Sequence, residues 1–254
     1  MSQSQTNYEK VAEFNVVFDC PQIYHTNFDR KNWIKPETEK ILNYRCDLIK
    51  EEGVTEFGNA LKEKNRVEMI DAICDSLYVL YGAAWTMEIN IDYHLKQIFD
   101  FSKSNFMTLK QIYLNEQNLN ETSKNIKLYE LFTKIIICET EFRNVMLNGK
   151  GEFDKVVTLL ITMIITTYRM GIILNFDVDE AFNLVHLSNM SKLCLTEEEA
   201  QQTVDKYKKN YEESKSLYDT PYYYKKEKYY VVKNNSTGKV LKSINYSPVN
   251  LTQI

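Results

Sequence analysis

The residues best suited to chemistry in this chain are acids spaced along helices. Glu51 and Glu52 are followed by Glu56, and Glu68 by Asp71 and Asp75, so that the last three stand at i, i+3 and i+7. That spacing lines three carboxylates along one helix face, where like charges repel by about 0.2–0.5 kcal/mol per pair. Met69, Ile70, Ile73, Leu77 and Leu80 make the neighbouring faces apolar, so the acids cannot all turn to open water. Carboxylates kept beside an apolar face call for a cation. A set of oxygen donors with no histidine among them selects Mg²⁺, with Mn²⁺ as the alternative, over zinc. The competing reading is a solvated acidic face with no ligand.

Few other residues offer chemistry. His25, His94 and His186 have no ligand spacing, and neither a Gly-x-x-x-x-Gly-Lys-Ser/Thr loop nor a Gly-x-Gly-x-x-Gly turn is present. The five cysteines, Cys20, Cys46, Cys74, Cys138 and Cys194, are scattered and odd in number. They read as reduced thiols, which puts the chain in the cytoplasm, a host's cytoplasm if the source is a virus. The polar start, Met-Ser-Gln-Ser-Gln-Thr-Asn, carries no apolar signal core. A net charge of −4 argues against a nonspecific nucleic-acid binder.

The acids need rigid elements to position them. Only 7 Gly and 4 Pro in 254 residues leave little punctuation, and 44% hydrophobic content supplies ample core. Long helices are expected, at about 38–64, 66–88, 92–109, 126–148, 152–173, 177–193 and 196–216. An amphipathic segment, Tyr8–Phe18, precedes them, and a looped stretch holds Pro21 and Pro36. Val156–Leu174 approaches the length of a membrane span. Thr158, Thr162, Thr166, Thr167 and Arg169 within it mark a buried helix instead, with no membrane as partner. Beyond residue 216, tyrosines and valines alternate with lysines through Lys233, Asn234–Gly238 supplies a turn, and Lys239–Lys242 returns. That is the pattern of a β-hairpin.

The second run of helices reads as a worn copy of the first. Glu56-Phe-Gly-Asn matches Glu141-Phe-Arg-Asn; Asp71 aligns with Asp154, Trp85-Thr-Met87 with Tyr168-Arg-Met170, and Ser104-Asn105 with Ser188-Asn189. Where the first copy has Glu52, Glu56, Glu68 and Asp71, the second has Cys138, Glu141, Gly151 and Asp154, so half its acids are gone. Conversely, Lys192 of the second copy has Thr108 as its counterpart. The expected division is a first unit over 1–114 carrying the metal ligands, a linker over 115–125, a second degenerate unit over 126–216, and a hairpin and tail over 217–254 that close the substrate site.

These residues resemble the all-α nucleotide pyrophosphohydrolases, the MazG-like and phosphoribosyl-ATP pyrophosphohydrolase-like proteins. The signature Glu-Glu-x-x-Glu, spacer, Glu-x-x-Asp is matched by Glu51, Glu52 and Glu56, then Glu68 and Asp71. The string Asp75-Ser-Leu-Tyr-Val-Leu-Tyr-Gly82 follows the family's pattern. Val185-His-x-Ser-Asn-Met-Ser-Lys192 and Gly238-Lys-Val-Leu-Lys242-x-x-Asn-Tyr-Ser-Pro248 resemble a branch found in phages, large viruses and some cellular genomes. Gly53 departs from the signature: it makes Glu52 and Glu56 four apart, which a helix face or a bulge absorbs.

The resemblance implies an all-α bundle of two fused units, a pseudo-dimer with a short C-terminal β-hairpin, able to pair again as a homodimer of pseudo-dimers. It implies Mg²⁺-dependent hydrolysis of a nucleoside triphosphate to the monophosphate and pyrophosphate. Glu52, Glu56, Glu68, Asp71 and Asp75 would hold the metal, and Glu51 or Glu52 would act on the attacking water. Lys192, Lys239 and Lys242 would hold phosphates, Asn189 the base or ribose, and Tyr246 the base. Two rival functions stand beside this: a degenerate nucleotide binder with relic acids, and a helical adaptor whose Tyr- and Lys-rich hairpin is the contact surface.

Overall fold

A computed structural model of the chain describes residues 5–23, 33–101, 116, 118–148 and 153–254. His25, Ser104, Asn105, Thr108, Gly151 and the expected helical stretch over 102–109 lie outside them. The chain forms two compact units: Met1–Ala12 with Pro21–Phe182 and Leu251–Ile254, and Glu13–Cys20 with Asn183–Asn250. This cuts the chain elsewhere than the expected division. Residues 21–114 of the first copy and 126–182 of the second fall in the first unit, while 183–216 of the second copy join the hairpin and a short piece near the N-terminus.

The described part of the first unit is helical. Helix α1 is Asn7–Val17, which runs from the first unit into the second, and α2 is Pro36–Lys50. A π turn over Glu51–Glu56 joins α2 to α3, Phe57–Glu63. Then come α4, Arg66–Thr86, α5, Ile91–Phe101, α6, Glu121–Asn148, α7, Phe153–Ile173, and α8, Val178–Met190, which crosses into the second unit. Helices α2, α4, α7 and α6 pack in a ring, each against the next. Fully buried Leu42, Ile70, Ile73, Leu77, Phe142, Val156 and Leu160 come from all four. Apolar faces of this size have no other way out of water.

The lengths repeat. The α2–π–α3 run and α6 each span 28 residues, and α4 and α7 each span 21.

Helix α4 starts where the Asn65 side chain accepts the Glu68 backbone N–H at 3.3 Å, after Lys64 has turned left-handed (φ 56°) to close α3. Among the described residues α7 alone is long and apolar enough to cross a membrane, and two-thirds of its apolar window is buried inside the protein. Its threonines do not leave hydroxyls bare. Thr158, Thr162, Thr166 and Thr167 donate to carbonyls four residues back at 2.6–2.9 Å. Arg169 is paired with buried Glu116.

Two expectations need correction. The polar run 115–125 is no plain linker, because α6 begins at Glu121. Asn120 accepts the Ser123 N–H at 2.9 Å and caps the helix, so polar residues there are a capped first turn. The hairpin turn also lies earlier than Asn234–Gly238. Strands β1, Pro221–Lys226, and β2, Tyr229–Asn234, pair antiparallel from Pro221↔Asn234 to Lys226↔Tyr229. The chain reverses at Glu227–Lys228, with Glu227 at φ 52°, and Lys-Glu-Lys between two tyrosine runs was the signal. The Asn234–Gly238 segment makes a second reversal, which returns Val240 beside Lys233.

In the second unit α9, Glu197–Glu212, covers one side of the hairpin through Ala200, Val204, Val232 and Leu241. Val17, Phe18, Leu193 and Val231 form the other small core.

Candidate active site

The π turn is where the sequence departs from the signature. Between the copies the alignment offset is 86 residues at Glu52/Cys138 and 85 at Glu56/Glu141, so one residue is extra in the first copy. The structure absorbs it there: Glu51–Glu56 is π-helical, while α6 runs through Cys138–Glu141 as unbroken α-helix. A π turn takes up one inserted residue and leaves the helix on either side in register. Gly53 is buried at this turn, facing Ser76 of α4 and Ile135 of α6.

Glu52 is the centre of the acid group. Its Oε2 is buried and without a hydrogen-bond partner. Its carboxyl is pushed up to about 8, first by burial, then by the charges of Asp75 and Glu56, a hydrogen bond with Glu56, and Glu51. Asp71 is also raised, by burial and then by Glu68 and Glu56. Glu56 acts on both, so Glu51, Glu52, Glu56, Glu68, Asp71 and Asp75 form one electrostatic group. Glu51, Glu56 and Glu68 are exposed, whereas Glu52, Asp71 and Asp75 are half-buried.

This donor set fits a hard divalent cation: every candidate ligand is a carboxylate oxygen, and one buried oxygen lacks any partner. Among the described residues no three such side chains already converge on one cation-sized point. Ligation therefore requires the exposed Glu56 and Glu68 to swing toward Glu52 and Asp71, which their length and exposure allow.

Among the described residues the second copy shows no such group. Glu141 is bound to Lys155 at 2.7 Å, and Cys138 is a buried thiol raised mainly by burial. Tyr78 stacks on Phe182 at 5.5 Å and Trp85 is buried, both as core residues.

The remaining expected site residues, Asn189, Lys192, Lys239, Lys242 and Tyr246, belong to the second unit, where four of the five pair among themselves. Lys192 Nζ donates to Asn189 Oδ1 at 2.6 Å, and Lys242 Nζ sits 4.4 Å from the centre of the Tyr246 ring. Lys239 lies apart, over Tyr218 at 5.9 Å. Two serines of the Ser-Asn-Met-Ser string, given no role by sequence, hold the tail. Ser188 Oγ bonds Tyr246 OH at 3.1 Å, and Ser191 Oγ accepts the Ser247 N–H at 2.9 Å. Their fixed spacing beside Lys192 was the available signal.

An all-α bundle with an acidic group gathered on a helix and its neighbouring turn defines the class. The family model for phosphoribosyl-ATP pyrophosphohydrolase matches residues 23–100, the segment that holds every acid of the group. The chain belongs to the MazG-like, all-α nucleotide pyrophosphohydrolase superfamily. It is 35% identical over 245 residues to an uncharacterised protein of Acanthamoeba polyphaga mimivirus, covering 95% of this chain and 92% of that one. No solved structure matches. The family match supports a pyrophosphohydrolase-type activity.

Proposed function

We propose that this protein is a Mg²⁺-dependent nucleoside triphosphate pyrophosphohydrolase, yielding a (deoxy)nucleoside monophosphate and pyrophosphate. Glu52, Glu56, Glu68, Asp71 and Asp75 hold the metal, with Mn²⁺ able to substitute. When bound, the cation draws charge from the phosphates and lowers the pKa of water. Glu51 or Glu52 orients the attacking water and takes its proton; the water oxygen bonds to the α-phosphorus while the α–β anhydride bond breaks and pyrophosphate leaves. Lys192, Lys239 and Lys242 neutralise phosphate oxygens, Asn189 bonds the base or ribose, and Tyr246 stacks on the base. The free thiols fit a reducing cytoplasm.

The observation that carries this reading is Glu52: a half-buried carboxyl, raised to about 8, ringed by acids and with one oxygen left without a partner. Such a group is costly unless a cation relieves it. The test is pyrophosphate release from each natural nucleoside triphosphate with Mg²⁺, beside a Glu68→Ala, Asp71→Ala double variant. Release by the wild type that drops about 100-fold or more in the variant supports the reading. Release from none of them, with Mg²⁺ or Mn²⁺, returns the protein to the binder or adaptor readings.

A further inference from the structure

Helix α6 carries two apolar stripes, and only one is used inside the protein. Leu128, Leu131, Ile135, Phe142 and Met146 are buried. On the opposite side Ile126, Tyr129, Ile136 and Ile137 are 37–60% exposed. Thr133 and Thr140 fill the gaps between them at heptad spacing. Both threonine hydroxyls already donate within the helix, to Tyr129 O at 2.8 Å and Ile136 O at 2.9 Å. That leaves their methyls outward and the stripe free of unsatisfied donors. An apolar patch on the order of several hundred Å² marks an interaction surface more often than bare solvent exposure.

The charges beside the stripe say what covers it. Along one flank stand Lys127, Glu130, Lys134 and Glu141; in the single chain Lys127 pairs with Glu130 at 2.8 Å and Glu141 with Lys155 at 2.7 Å, so a second copy exchanges these surface pairs for new ones. A two-fold axis through Thr133 lays a second α6 antiparallel on the first. Glu130, three residues before the axis, then comes beside Lys134 of the other copy, one residue after it. Lys127, six before, comes beside Glu141 of the other copy, eight after. Tyr129 meets the Ile136–Ile137 pair, and the small Thr133 lies at the crossing. The order of apolar and charged residues along this face matches itself under the two-fold, as an isologous interface requires.

We propose that the outer face of α6 is the docking surface for a second copy of this chain, pairing α6 with α6 antiparallel about Thr133. The inference is independent of the catalytic reading.

Sedimentation velocity of the full chain from about 1 to 100 µM tests it. The wild type is expected to move to dimer across that range, and Ile137→Glu to stay monomeric with an unchanged far-UV circular dichroism spectrum. One added cysteine at a time tests the register, with the wild type's five native thiols as the background control. Thr133→Cys is expected to give a covalent dimer on mild oxidation. Asn144→Cys, on the same face but about 16 Å along the helix, puts its two copies about 33 Å apart and is expected to give none. A wild type that is monomeric throughout, a dimer that survives Ile137→Glu, or cross-linking at 144 as fast as at 133 overturns the proposal.

Discussion

Glu52 and Glu56 stand across the π turn from one another, and the charge of Glu56, after burial and Asp75, helps hold the Glu52 carboxyl up at about 8, so that it keeps its proton at neutral pH. The proton stands in for the positive charge that the site lacks on its own. Its presence sets the pH behaviour of the protein. The Glu52 carboxyl titrates near 8 in the fold against an ordinary 4.5. Its contribution to stability is therefore full below about pH 4.5 and is lost as pH rises through 8; Asp71, also raised, adds in the same direction. In EDTA the melting temperature is expected to fall between pH 6 and 8.5, and Glu52→Gln to flatten that fall. On the proposed reading added Mg²⁺ replaces the proton, so its stabilisation is expected to be larger at pH 8.5 than at pH 6, reaching about 2.7 kcal/mol at a hundredfold excess over Kd. Differential scanning fluorimetry across that matrix checks both signs.

Gly53 supplies an extra residue, and neither its missing side chain nor its flexibility is what the turn uses. A Cβ there would meet Ser76 Oγ at 3.6 Å and Ile135 Cγ2 at 3.9 Å, ordinary contacts. Gly53→Ala is expected to leave activity unchanged and to stabilise slightly, by up to about 1 kcal/mol. Deleting Gly53 tests the turn itself. The chain then reads Glu-Glu-x-x-Glu and can run as regular α-helix with Glu52 and Glu56 still on one face. Pyrophosphate release is expected to persist within about tenfold. A complete loss would show that the widened turn itself places Glu52.

These two residues also show what sequence could and could not deliver. Helical periods, the acid spacing and the duplicated pattern are local signals, so the bundle and the acid group were legible from residues such as Asp71, Ile73 and Leu77. The extra residue at Gly53 was countable, but the choice between a tilted face and a π turn depends on packing against Ser76 and Ile135, which no local pattern encodes. The missed turn at Glu227–Lys228 and the helix start at Glu121 were lost to composition. Charged and polar runs look alike whether they solvate a loop, cap a helix or reverse a hairpin. The pairings of Lys192 with Asn189 and Lys242 with Tyr246 join residues three and four apart, yet which partner a lysine takes is decided by tertiary placement.

Gly171 makes the opposite prediction from Gly53. A Cβ on it would come within 2.2 Å of Val178 Cγ2 and 3.3 Å of the Phe176 ring, where the chain turns back from α7 into α8. Asn175 takes φ 56° to make that turn, so the corner is tight and has no slack. Gly171→Ala is expected to cost about 1–3 kcal/mol, lowering the melting temperature by several degrees. The same scan on Gly53→Ala is the control.

The second unit has its own point of failure. The buried Glu199 carboxylate accepts from Ser243 Oγ at 2.5 Å and from the Leu195 N–H at 2.9 Å, while Thr203 Oγ1 accepts the Ile244 N–H at 3.1 Å. Those bonds fasten the Lys242–Tyr246 stretch to α9. Ser243→Ala strips one of two donors from a buried charge, which costs about 1–3 kcal/mol. If Lys242 and Tyr246 grip the triphosphate, loosening their support raises KM before it lowers kcal-scale stability enough to unfold the chain. Ser243→Ala is therefore expected to raise KM for the triphosphate severalfold with kcat little changed, and Thr203→Val to do the same through the Ile244 N–H. A variant with lowered kcat at unchanged KM would instead tie this stretch to the chemical step.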